Sequence, residues 1–243
     1  STVVLSVMED APLVGQLPGY YQDTDEGDHA LLTYSLGSFI GPLAQNDISD
    51  AISINGNELT ILAENPLVGD HSFVILAQDP SGDSAEVTFN LSVTPSNDAP
   101  TITVDAAVSA DEDVALVVPV AVDDMDISLG GLEQLDIIVS SGHGVLSLPS
   151  ITGLSFGVDG YQEGAELSFS GKLENINAAL ANLTYLANAN YHGMDQLLVN
   201  VNDQGNIGGE GTPLIGEASV DITINPVNDT PVITLPASMS LDE

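Results

Sequence analysis

Residues 95–112 read PSNDAPTITVDAAVSADE, and residues 226–243 read PVNDTPVITLPASMSLDE. The two stretches align without a gap at a spacing of 131 residues. Self-similarity at a fixed spacing marks an array of modules. The acidic pair at the end of the first copy, Glu112-Asp113, has a counterpart near the start of the chain, Glu9-Asp10. Module boundaries therefore fall near Asn97 and Asn228, giving one domain over 1–97, a larger one over 98–230, and an opening strand of a following repeat over 231–243.

Outward from this repeat, short alternating or wholly apolar runs are punctuated by Gly, Pro, Asn and Asp, which is the pattern of β-strands and turns. Strands are expected at Ser1 to Val7, Leu31 to Leu36, Ser72 to Ala77, Ala85 to Val93, Val114 to Val122, Leu197 to Val201 and Ala218 to Ile224. Ile52 and Ile54 should face Leu59 and Ile61 across a type I′ turn at Asn55-Gly56. One stretch departs from this pattern: Leu173, Ile176 and Leu180 are spaced for a short helix over 173–180, with Ser170 or Gly171 ahead of it as a cap. The fold class is all-β, as two tandem Ig-like, Greek-key β-sandwiches of which the second carries one short helix.

Charge is the unusual property. Against 36 Asp and Glu stands one basic residue, Lys172, for a formal net charge of -35 in 243 residues. Such a surface repels nucleic acid and anionic membranes, and no apolar run approaches the ~20 residues that span a bilayer. Hydrophobic residues make up 43% of the chain, enough to fill two cores and to exclude a disordered acidic tail. Cysteine is absent, which excludes disulfides and thiolate metal sites. With almost no side-chain cations available, the carboxylates must tolerate one another or recruit external cations, and calcium suits oxygen donors in irregular numbers.

The carboxylates recur in one order. Glu9-Asp10 and Glu112-Asp113 follow first strands; Asp23-Thr-Asp25 and Asp124-Met-Asp126 come next. Asp79 and Asp203 sit in turns before last strands, and Asn97-Asp98 and Asn228-Asp229 close the domains. Alternate residues of an extended segment point the same way, so Asp-x-Asp presents two carboxylates to one ion. Calcium takes six to eight oxygens, so the clusters must converge from several parts of the chain, and a domain junction is a natural meeting place. The plainer reading of each Asp is a turn cap.

The stretch AISINGNELTILAE (51–64) followed by HSFVILAQDPSGDSAEVTFNLSVTPSNDAP (71–100) resembles the C-terminal half of a cadherin repeat, with its Ala-x-Asp turn and closing Asn-Asp-x-Pro. DTDEGDHALLTYSL (23–36) looks closer to dystroglycan-type cadherin-like repeats of bacterial surface proteins. The second domain, with LENINAALANLTYLANANYHGMDQLLVNVNDQGN (173–206), resembles modules of giant type I-secreted adhesins. The resemblance implies calcium at domain junctions. Glu9 and Asp10 of the first domain, Asn97 and Asp98 of the linker, and Asp124, Asp126 and Asp203 of the second domain would share one set of ions. Glu112, Asn228 and Asp229 would serve the next junction, and Asp23, Asp25 and Asp79 a preceding one. Two features depart from the family pattern: no Leu-Asp-Arg-Glu equivalent lies near Glu64 or Asp70, and Ser96 stands where an Asp is common.

The implied role is that of an extracellular, calcium-rigidified extender or interaction segment of a bacterial cell-surface adhesin, serving attachment or biofilm formation. Its partners would be neighbouring repeats, surface glycans or other surface proteins. The alternative is a polysaccharide-binding module, for which Tyr20-Tyr21, Tyr161 or Tyr191 would form an exposed platform. Catalysis is not expected, because no nucleophile elbow, phosphate loop or Cys-His arrangement appears. Tryptophan is absent and aromatics amount to 5%, so a sugar-hydrolysing cleft lacks its usual lining. Asp23 to Tyr34 mimics an EF-hand loop, but Tyr34 occupies the position of the bidentate Glu. His29, His71, His143 and His192 are scattered and read as surface or turn residues rather than zinc ligands.

Overall fold

A computed structural model describes residues 2–22, 31–40, 50–63, 67–127, 134–157, 163–205, 212–231 and 233. The chain divides into two compact units, Ser1–Asp98 with Gly205–Thr212, and Ala99–Gln204 with Pro213–Glu243. Both are built from strands.

In the first unit, β1 (Thr2–Met8), β7 (Ser84–Thr94), β6 (Gly69–Gln78) and β3 (Thr33–Ile40) form one sheet in that order. The second sheet runs β2 (Pro12–Gln16), β5 (Glu58–Leu62), β4 (Ile52–Asn55). The chain crosses between sheets after β1, β2, β3 and β5, which gives a seven-stranded Greek-key sandwich. Alternation places Phe73, Ile75, Val87, Phe89, Leu91 and Val93 of one sheet against Ile52, Leu59 and Ile61 of the other, all buried in one core. Phe73 and Phe89 are cross-strand partners whose rings stack at 5.3 Å. Tyr21 enters the same core and its hydroxyl donates to Ile75 O at 2.6 Å, so its polar end is satisfied.

The hairpin pairs Ile52 with Ile61 and Ile54 with Leu59, as the alternation requires. Its turn differs from expectation. The loop residues are Gly56 and Asn57, and of the two only Gly56 has positive φ, at 58°. That is the pattern of a type II′ turn, which needs its glycine at the first central position, whereas type I′ requires positive φ at both.

The second unit has a sheet ordered β14 (Leu154–Phe156), β16 (Glu166–Gly171), β12 (Leu135–Ser141), β18 (Gly193–Asn202), β19 (Ile215–Asn225), β9 (Ala107–Asp111). Facing it is a sheet ordered β10 (Leu116–Val117), β17 (Thr184–Ala187), β13 (Gly144–Ser147), β15 (Glu163–Gly164). A ribbon of β8 (Thr101–Val104) and β11 (Val120–Asp123) completes the unit. Ile137, Val139, Phe169, Leu197, Val199, Val220 and Ile222 of the larger sheet pack with Leu146 and Tyr185 of the smaller.

The single strand expected over Val114 to Val122 is two short strands in different sheets, β10 and β11. Between them stands Pro119, which has no N–H for a ladder and breaks the pairing.

The helix α1 spans Leu173–Leu180 and buries Leu173, Ile176, Ala179 and Leu180. Its N-cap residue is Lys172, extended and without a side-chain cap bond, so neither Ser170 nor Gly171 caps it. Instead Asn177 fastens the helix: its amide donates to Val122 O and accepts from Val122 N, both at 2.8 Å. This one side chain satisfies both backbone groups of a residue in β11.

Candidate metal centre

The Glu-Asp pairs owe their geometry to strand direction. In each unit an early strand lies parallel to the last: the first strand β1 against β7 from Thr2↔Thr88 to Met8↔Thr94, and the second unit's second strand, β9, against β19 from Asp221↔Ala107 to Asn225↔Asp111. Parallel pairing brings the end of that early strand beside the exit of the last. Glu9 N donates to Thr94 O at 2.9 Å, and Glu9 Oε2 accepts from Ser96 N at 3.2 Å. The second unit repeats this: Glu112 N donates to Asn225 O at 2.9 Å, and Glu112 Oε1 accepts from Val227 N at 2.6 Å. Both glutamates are buried.

Asp10 and Asp113 then turn the chain away, each at φ 61°. Asp tolerates this left-handed conformation better than most residues, which accounts for its place after the Glu. The motif thus combines a side chain long enough to reach back with a backbone able to reverse. Asn97 and Asp98 are half-buried in the segment after β7. Burial raises the Asp98 pKa, and the charge of Asp10 adds to the shift.

In the second unit, Asp124 follows β11 and is 4% exposed. Its Oδ1 accepts from Asp126 N at 3.0 Å, while Oδ2 is buried with no hydrogen-bond partner among the described residues. Burial pushes its pKa up to about 6; the Asp126 N–H opposes this, and the charges of Asp126 and Asp203 add to it. Asp203, at the end of β18, is 1% exposed and accepts from Leu214 N at 2.8 Å. Asp126 and Asp203 are therefore both close enough to Asp124 to repel its charge.

A buried carboxylate oxygen without a donor, flanked by two like charges, is satisfied by a proton or by a cation. The donors are all oxygens, which suits a hard ion. Calcium fits better than magnesium because it accepts high and irregular coordination.

The remaining residues fall in different places. Asp79 lies in the turn before β7, where Asp79 N donates to Asp83 O and Asp79 Oδ1 accepts from Asp83 N at 2.9 Å, a turn-capping role. Asn228 and Asp229 are exposed, just past the Val227 N–H that binds Glu112. The expectations for Asp23, Asp25, His29 and Tyr161 lie outside the described residues.

Three features were not read from the sequence. His192 approaches Glu112 Oε2 with Nδ1 at 3.9 Å. His71 is 4% exposed rather than on the surface, because it occupies an inward position of β6, with Nε2 2.7 Å from Leu67 O. Asp195 is buried on β18 and accepts four hydrogen bonds: from Tyr185 OH (2.7 Å), Gly142 N (3.0 Å), His143 N (2.9 Å) and Gln196 N (2.8 Å). Burial alone would raise its pKa, but these donors outweigh burial and hold it below the usual carboxylate range. The signal was present in the sequence, since Asp195 shares the inward parity of Leu197, Val199 and Val201.

The tyrosines do not gather into a platform within the first unit. Tyr21 is buried, and Tyr20 stands edge-on to Phe89 with centroids 5.3 Å apart. In the second unit Tyr191 is half-buried, stacked on His143 at 4.3 Å, with its hydroxyl bonded to Met194 O.

The family model described as Protein GAMETE EXPRESSED 2 domain matches residues 132–208, less than half of the chain. No curated protein sequence matches. Among solved structures, the chain is similar to protocadherin gamma B2 extracellular cadherin domains 1–5, at 15% identity and a TM-score of 0.44, covering 94% of this chain and 38% of that one. It is also similar to human CDH23 EC21–23 (17% identity, TM-score 0.38, 92% of this chain and 67% of that chain). Mouse cadherin-23 EC22–24 gives 18% identity, a TM-score of 0.38, and coverage of 93% of this chain and 63% of that chain. The chain thus spans well under half the length of the protocadherin fragment it resembles.

Proposed function

We propose that this chain is a calcium-rigidified extender or interaction segment of a large bacterial cell-surface adhesin, acting outside the cell in attachment or biofilm formation. In this reading calcium is held jointly by Glu9, Asp10, Asn97 and Asp98 and by Asp124, Asp126 and Asp203. Glu112, Asn228 and Asp229 would serve a following repeat, and Asp23, Asp25 and Asp79 a preceding one. The partners are neighbouring repeats and molecules of an opposing surface, and no catalytic step is involved.

The observation that carries the reading is Asp124, a buried carboxylate with an unpartnered oxygen beside two other carboxylates, in a chain with one basic residue. Support comes from the matching Glu9 and Glu112, each buried at the exit of its unit's last strand. An ion there offsets both the burial and the mutual repulsion.

A calcium titration followed by calorimetry and small-angle scattering tests this reading. A native-state ligand at a hundredfold excess over Kd adds ~2.7 kcal/mol per site. Calcium should raise the melting temperature far more than magnesium does and narrow the distribution of interdomain distances. Identical melting and scattering in calcium and in chelator would sink the proposal.

A further inference from the structure

We propose that each unit is built as a shear clamp that resists tension applied along the chain. The clamp follows from strand direction and does not require a bound cation. In the first unit the entering strand β1 and the leaving strand β7 are hydrogen-bonded neighbours running parallel, from Thr2↔Thr88 at one end to Met8↔Thr94 at the other. The chain therefore enters at one end of this ladder and leaves at the opposite end. Tension between entry and exit slides β1 against β7 along their common axis. Sliding loads the whole seven-residue ladder at once, so its bonds must fail together. Opening an antiparallel hairpin such as β6–β7 from its turn breaks bonds one at a time.

Glu9 prolongs the clamp beyond the ladder. Its N–H holds Thr94 O and its carboxylate holds Ser96 N, so the force-bearing exit is tied back to the first strand by two further bonds. The second unit carries the same device in β9, β19, Glu112 and Val227, and there β8 adds an antiparallel pairing to β11 ahead of it. Two sandwiches of different size thus close on the same mechanical element. Forced unfolding is governed by the unfolding rate rather than by equilibrium stability, so the clamp can be strong without the fold being unusually stable.

The absence of cysteine makes engineered thiols unique attachment points. The intact chain carries one handle at its N-terminus and a second at either Thr94→Cys or Ser84→Cys, and is pulled singly in chelator. The first pair shears β1 along β7; the second, with both points at the same end of the ladder, peels β1 away. The unfolding force should be several-fold higher for the Thr94 attachment. Equal forces, or a higher force for the Ser84 attachment, would overturn the proposal. Val4→Pro, in the middle of β1, should lower the shear force in molecules that remain folded by circular dichroism; an unchanged force in those molecules would also count against it. Should that variant not fold, the comparison of pulling directions decides alone.

Discussion

Asp124 makes the second unit sensitive to pH in a direction opposite to that of most carboxylates. Its pKa of about 6 in the folded chain compares with 3.8 for the free side chain. Between those values the native state holds a proton that the unfolded state has released, so stability falls as pH rises from ~4 to ~6. A shift of about two units corresponds to roughly 3 kcal/mol at neutral pH in the absence of a cation. For a unit of this size that is a change of about 10 °C in melting temperature. Asp124→Asn removes the ionisation and keeps an oxygen able to accept the Asp126 N–H. In chelator at pH 7 the variant should melt above the wild type, and the difference should shrink as pH approaches 4. Calcium should reverse the order, because the wild type gains the ion and the variant gains less. Scanning calorimetry of both proteins between pH 4 and pH 7, with and without calcium, gives the comparison. Parallel curves for wild type and variant in chelator would refute the reasoning that ionising the buried Asp124 destabilises the unit.

Other expectations concern the framework of the second unit. Gly144 has no room for a Cβ, which would run into the Tyr185 ring, so Gly144→Ala should displace the hydroxyl from Asp195 and cost about 2–4 kcal/mol by thermal melting. Asp195→Asn should lose a similar amount at neutral pH; below pH ~4 the gap should close, since a depressed pKa contributes stability that is lost on acidification. Asn177→Leu preserves volume but removes both bonds to Val122, and should cost about 1–3 kcal/mol while speeding amide exchange along β11.

Much of the architecture was legible because β-structure announces itself by period. The hairpin partners Ile52↔Ile61 and Ile54↔Leu59 followed from alternation alone, and the helix from the spacing of Leu173, Ile176 and Leu180. Turn type was not legible, since Asn55-Gly56-Asn57 offers two frames and the φ values decide between them. The division of Val114 to Val122 was visible in Pro119, but its allocation to two sheets depends on tertiary pairing. The Glu-Asp motif could be seen as a repeat, whereas its geometry required knowing that the strand before each pair runs parallel to its unit's last strand. Asp195 was overlooked because acidic residues in this chain suggest cations, and its partners are a tyrosine and three backbone amides instead.

The closing bonds of the two units differ in what they enclose. Glu9 and Ser96 are 87 residues apart, Glu112 and Val227 are 115 apart, and the contact is the same. The larger unit accommodates α1 and additional strands between these points without altering the stitch. Insertions can therefore accumulate within such a unit while its ends stay standardised. An ancestral gene could lengthen or shorten a unit between these points, with the same stitch still closing its own two ends.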